Sequence, residues 1–195
     1  MSKISFAKFS SRLLNPFFVG VLSAVLVLFK VNLESNEKVF WFFLIVVLGF
    51  LSPVLVLFYQ KTKGIIADWN IKERSQRYWA QGVTALSLFL VSWLSFALLN
   101  DKSLQAFLLA SFLNALATFL INRFWKISVH ASSMTLFCLI LIFLYSFWYL
   151  PSILLIVLVS WSRFKLTYHT LDQIFGGIII NLVITWSVFG FFGLI

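Results

Sequence analysis

Seven apolar runs divided by short polar stretches leave this chain few ways to fold. They cover about 13–31, 39–59, 81–99, 104–121, 132–149, a short run from Pro151 to near Trp161, and 174–195. A helix crossing a bilayer core needs about 20 apolar residues, with a range of roughly 17–25. The runs show no alternation of apolar and polar residues, so a closed barrel is excluded and helices are the only spanning structure left. The expected fold is an all-α polytopic transmembrane bundle of about six to seven spans, forming one membrane-embedded domain over 1–195. Ser52-Pro53 predicts a kink in the second span. The sixth run is the shortest, and its helix is expected to continue beyond the membrane.

Composition agrees. Hydrophobic residues make up 62% of the chain and charged residues 11%, with a mean hydropathy of +1.01. Soluble domains are nearer half apolar and a quarter charged. The 24 Phe and 8 Trp suit lipid contact and interfacial anchoring. The basic N-terminal stretch MSKISFAKFSSR precedes a run long enough to stay as a span, so no cleavable signal is expected. Cys138 is the only cysteine, which excludes an intrachain disulfide. A net charge of +9 without a long basic block or a nucleic-acid motif points to topology signals, lipid headgroups or a phosphate site, not to nucleic acid. The oligomeric state is not legible.

Short connections predict an up-down bundle. The N-terminus, loop 60–80, loop 122–131 and loop 162–173 then share one side. That side holds 12 of the 15 Lys and Arg residues; the other has only Lys30, Lys38 and Lys102. The positive-inside rule puts the basic side in the cytoplasm, across what is expected to be the cell (inner) membrane. Six of the twelve cations (Lys72, Arg74, Arg77, Lys126, Arg163 and Lys165) lie in the polar islands, and without them the bias keeps its sign at 6 to 3.

Three polar islands fall on this basic side: DWNIKERSQR (68–77), NRFWKISVHA (122–131) and WSRFKLTYHTLDQ (161–173). The only two histidines, His130 and His169, lie in the second and third. Arg163 precedes His169 by six residues, so a helix end can present the guanidinium while a short loop returns the imidazole. If a helix restarts near His169, Gln173 shares its face and can fix the ring tautomer, with Asp172 as the competing partner. Gly176 and Gly177 permit close approach of another backbone. Two histidines with scattered acids make a poor metal ligand set. They suit a phosphoryl group, where cations neutralise the oxygens, one histidine attacks phosphorus and the other protonates the leaving oxygen. On spacing alone, ordinary topology determinants and headgroup anchors explain the same cations.

The third island resembles the last motif of the type 2 phosphatidic acid phosphatase superfamily, SRxxxxxHxxxD. Ser162-Arg163 are followed by FKLTY and His169, with Gln173 in the final acidic slot. An HTxxQ variant occurs in members acting on polyprenyl diphosphates. The second motif, PSGH, is similar to Ile127-Ser128-Val129-His130, which keeps Ser and His. The first, KxxxxxxRP, is absent as such; DWNIKERSQR is similar to a divergent form in small bacterial and archaeal members.

The resemblance covers about 68–177. It implies metal-independent hydrolysis of a lipid phosphate through a phosphohistidine, without a cofactor. His169 is the implied nucleophile, His130 the acid and base, and Arg163 the transition-state cation. Arg74, Arg77, Lys126 and Ser128 are implied phosphate ligands, with Lys72 a lesser candidate. The lipid is open among phosphatidate, phosphatidylglycerophosphate, isoprenyl mono- or diphosphates and sphingoid phosphates. A lipid phosphotransferase on the same fold, a non-catalytic lipid-binding or transport protein, and a structural membrane subunit in which both histidines are dispensable are the alternatives. Many relatives have six spans and a site facing away from the cytoplasm. Here two runs separate the first island from the second, so the site is expected on the cytoplasmic face.

Overall fold

The computed structural model describes residues 2–66, 71 and 73–195. Lys72 and the Asp68–Asn70 opening of the first island lie outside them. All regular structure among the described residues is helical. We number the helices α1 (Lys3–Leu13), α2 (Pro16–Lys30), α3 (Ser35–Thr62), α4 (Ser75–Leu98), α5 (Lys102–Ile121), α6 (Val129–Tyr145), α7 (Phe147–Lys165) and α8 (Leu171–Phe191). Helices α3, α4, α5, α7 and α8 are long and apolar enough to cross a membrane, and the bent pair α1–α2 would make a sixth. Helix α6 is apolar but has only 17 residues.

Every apolar run became a helix, but three boundaries moved. The short element is α6, not the run after Pro151. The chain turns at Ser146, whose extended backbone (φ −174°, ψ 152°) and side chain cap a 3-10 turn over Phe147–Ser152. Pro151 sits inside that turn, near the start of α7, where helices tolerate a missing N–H. Helix α7 is therefore 19 residues long. At Ser52-Pro53 the run stays one helix from Ser35 to Thr62, with a π-helical turn over Ile45–Leu51 directly before the proline.

The third change is α1, a separate helix over the polar opening stretch. It meets α2 at 45°. Asn15 caps α2 through its Oδ1, which accepts from the Phe18 N–H at 2.9 Å, and Pro16 follows at the first helical position. Helix α1 buries Ala7, Ser10 and Ser11 and leaves Phe6, Phe9 and Leu13 exposed. It packs along α7, where the Phe6 and Trp161 rings lie 5.9 Å apart.

Helices α4 and α5 form the tightest antiparallel pair, and α6 is enclosed by α2, α7 and α8. Val27, Trp41, Ile45, Leu104, Ile140 and Phe189 pack into a dense core toward one end of the bundle. The opposite end, where the islands meet, is hollow. Buried apolar side chains thus close one half, and the cavity opens in the other.

Candidate functional site

The hollow end holds a cavity of about 580 Å³, within the range of small-ligand sites. It takes one residue or more from every polar island: Arg77, His130, Arg163 and His169, joined by Ser11 and Arg12 from α1. Among the described residues, no Asp or Glu lines it. The volume exceeds that of one phosphate. It has room for a group of phosphate size together with part of a larger molecule.

The third island is shaped by a helix end. Helix α7 stops in a left-handed turn at Thr167 (φ 54°). The Tyr168 N–H donates to the Arg163 carbonyl at 3.1 Å and the Thr167 N–H to the Phe164 carbonyl at 2.9 Å, the paired bonds of a Schellman stop. A β-branched residue is an outlier in this backbone region, so the turn is held by its surroundings. It lays the Tyr168 ring over the Arg163 guanidinium, 4.4 Å from Cζ to centroid, and returns His169 to the cavity. Arg163 is 2% exposed, and its Nη1 donates to Ser11 Oγ at 2.8 Å.

His169 immediately precedes the cap of α8. Thr170 and Gln173 form a capping box across the first turn. Gln173 Oε1 accepts from the Thr170 N–H and lies 3.1 Å from His169 Nδ1. An amide oxygen only accepts, so Nδ1 carries the proton and Nε2 keeps its lone pair. The competing partner, Asp172, is exposed in the first turn of α8. Burial pushes the His169 pKa down to about 3, helped by the positive charges of Arg77, Arg163 and Lys126 and opposed by the Gln173 bond. The imidazole is therefore neutral at ordinary pH.

The second island is fastened to the third. The Ser128 N–H donates to the Gln173 carbonyl at 3.0 Å. A Cβ on Gly177 would stand 2.7 Å from the Ser128 carbonyl oxygen, and one on Gly176 would meet the Trp125 ring at 2.6 Å. The close approach expected of these glycines is thus present, and it ties the start of α6, with His130 in its first turn, to the start of α8. Helix N-termini carry unpaired N–H donors and favour anions.

Other expected ligands are placed differently. Ser128 is fully buried as the cap of α6, its Oγ accepting from the Ala131 N–H at 3.4 Å, and it is not among the cavity-lining residues. Its oxygen serves the helix start, while its hydroxyl proton stays available to donate. Arg74 is exposed and donates to the Arg123 carbonyl at 2.7 Å, away from the cavity. Arg77 is the arginine of the first island that reaches the site, with its guanidinium Nε donating to the Ile71 carbonyl at 3.0 Å. Lys126 stands behind His169, its Nζ donating to the Tyr168 carbonyl at 3.0 Å. Ser11, Arg12 and Asn15, which also line the cavity, were not expected from the sequence. Their only signal is a short polar stretch next to Asn15-Pro16.

Among the described residues, no three His, Cys, Asp or Glu side chains gather as a metal site would require. In comparisons with known proteins, no family model matches the chain, and neither does any curated protein or solved structure.

Proposed function

We propose that the chain is a membrane lipid phosphate phosphatase working through a phosphohistidine, as its resemblance to type 2 phosphatidic acid phosphatases implies. One observation carries the reading: both histidines, the buried Arg163 and the half-buried Arg77 border one cavity that no carboxylate enters among the described residues. Such a site is built for an anion with a transferable group.

In the proposed reaction the His169 Nε2 lone pair attacks phosphorus, and the bond from phosphorus to the lipid oxygen breaks. His130, which takes up a proton as the anionic phosphate binds, gives it to that oxygen as it leaves. Arg163 and Arg77 stabilise the charge on the equatorial oxygens, and the N-terminal donors of α6 add to this. Water then attacks phosphorus and gives a proton to His130, and the P–N bond breaks to release phosphate and neutral His169. Ser11 holds Arg163 in position. The apolar helices suit a substrate with its tail in lipid.

The test is phosphate release by purified protein from a panel of lipid phosphates with EDTA present. Release should persist in EDTA, and rapid quenching should trap an acid-labile, base-stable phosphoprotein. His169→Ala should abolish both. His130→Ala should lose on the order of 10²–10⁴-fold on lipid substrates and much less on aryl phosphates, whose leaving groups need little protonation. Turnover that survives His169→Ala, or equal His130→Ala losses on both substrates, overturns the assignment.

A further inference from the structure

Helix α1 presents three faces. Ala7, Ser10 and Ser11 share one and are buried, with the half-buried Leu14 next along it. Phe6, Phe9 and Leu13 form a second stripe at helical spacing and are between 42% and 56% exposed. Lys8 and Arg12, one turn apart, form a third; both are exposed, as is Lys3 in the first turn. The helix contains no acid. Its 11 residues extend about 16 Å, roughly half of a bilayer core, so α1 cannot cross one alone. The 45° bend turns it off the line of α2, which carries the apolar part of the pair. An aromatic stripe beside a cationic one is the pattern of a helix lying in the plane of a membrane surface. The adjoining end of α7 continues it with exposed Phe164 and Lys165.

The buried face of α1 reaches the candidate site. Ser11 Oγ accepts from Arg163 Nη1 at 2.8 Å, and both residues are buried. Arg12, the next residue, borders the cavity. The hydroxyl meets the guanidinium only while α1 lies along α7. Yet the seat on α7 is made mostly by Ala7, Ser10 and Ser11, small side chains that bury little apolar area. The Phe6 ring adds a contact with Trp161 at 5.9 Å but stays largely uncovered. The protein side of α1 thus holds it weakly, and the chemistry of its outer side specifies what holds it in addition.

We propose that α1 is a docking surface for an anionic phospholipid leaflet, and that docking completes the site by holding Ser11 against Arg163. The negative surface attracts Lys3, Lys8 and Arg12, the acyl boundary takes up Phe6, Phe9 and Leu13, and the serine face is pressed onto α7. On a neutral surface the electrostatic part of that hold is lost, and Arg163 spends part of its time without the Ser11 acceptor. The lipid acts here as the partner of α1 and not as the substrate. The effect on turnover rests on the phosphatase reading, while the docking and its effect on anion binding do not.

The test reconstitutes the full-length protein into nanodiscs of phosphatidylcholine alone and of phosphatidylcholine mixed with phosphatidylglycerol. Amide hydrogen exchange over Lys3–Leu13, orthovanadate binding and hydrolysis of nitrophenyl phosphate are read in both. A negative surface repels both soluble anions, so a gain cannot come from their accumulation there. Each lysine near such a surface is worth on the order of fivefold in binding. Exchange over α1 should slow on the order of tenfold in the anionic discs, and vanadate should bind about fivefold more tightly. Replacing Lys3→Gln and Lys8→Gln together should remove most of both responses, although neither lysine lines the cavity. Ser11→Ala should keep the exchange response and lose the vanadate response, and Ser11→Thr, which keeps the hydroxyl, should restore it. Equal exchange in the two discs, or vanadate binding that is absent or indifferent to the lipid, would overturn the proposal. If exchange and vanadate binding follow the anionic lipid but nothing is hydrolysed, the docking surface stands and the phosphatase reading falls. Hydrolysis with exchange indifferent to the lipid does the opposite.

Discussion

His169 Nδ1 lies 3.1 Å from Gln173 Oε1, and that one contact puts the proton on Nδ1 and leaves the lone pair on Nε2. Gln173 stands where the resembled family places an aspartate. An amide fixes the tautomer without adding a negative charge beside the ring. Gln173→Ala should lower phosphate release on the order of 10–100-fold, the usual cost of losing an orienting partner behind a functional histidine. Asp172→Ala should change it little, since Asp172 is exposed. Steady-state assays of the two variants check this, and a larger loss for Asp172→Ala would contradict the geometry.

The pH dependence follows from the buried ring. With its pKa pushed down to about 3 from an ordinary 6.5, His169 stays neutral through the mildly acidic range. Diethylpyrocarbonate, which modifies neutral imidazole, should still label His169 at pH 5, where exposed histidines are mostly protonated. Peptide mapping of protein labelled at pH 5 and pH 7 reads this directly. The same shift affects stability. Above pH 6.5 the folded and unfolded states both hold a neutral ring, so the contribution is fully present. As pH falls from 6.5 toward about 3, the unfolded chain takes up a proton that the folded one refuses, and stability declines. Thermal melts of wild type and His169→Gln should differ in slope across this window.

Gly177→Ala tests the link between the two histidine-bearing helices. A methyl group there meets the Ser128 carbonyl oxygen at 2.7 Å, and backbone cannot yield as a side-chain tip can. The variant should be destabilised by about 1–3 kcal/mol. It should also lose phosphate release, because the start of α6 is pushed away from His169. Gly190→Ala, whose nearest added contact is Ile195 at 3.7 Å, is the control and should behave as wild type. Melting temperature and turnover measured together separate the two effects.

Sidedness follows from charge. Helix α1 carries Lys3, Lys8 and Arg12 with no acid, and its Ser11 reaches the cavity, so the site should share the cytoplasmic side with the N-terminus. In a Cys138→Ser background, Lys63→Cys and Lys165→Cys should resist impermeant thiol reagents until cells are opened. Lys102→Cys, at the far end of the bundle, should react in intact cells. The reverse pattern would place the site outside.

The helices, their alternation and the gathering of the islands at one end were legible in the sequence, because span length and loop charge are local quantities. His130, Arg163, His169 and Gln173 were legible too, since each sits at a helix start or stop where spacing dictates placement. The Thr170-to-Gln173 capping box was also in plain view, as a Thr followed three residues later by Gln. Packing decided the rest. Whether Arg74 or Arg77 enters the cavity depends on which of them turns toward Arg123 and which toward Ile71. Whether Ser128 borders the cavity depends on how the start of α6 packs against α8. Ser11 became part of the site only because α1 folds back along α7, a contact 152 residues apart in sequence. Spacing along a chain specifies which face a residue occupies, but its partner is set by the neighbour that comes to lie against that face.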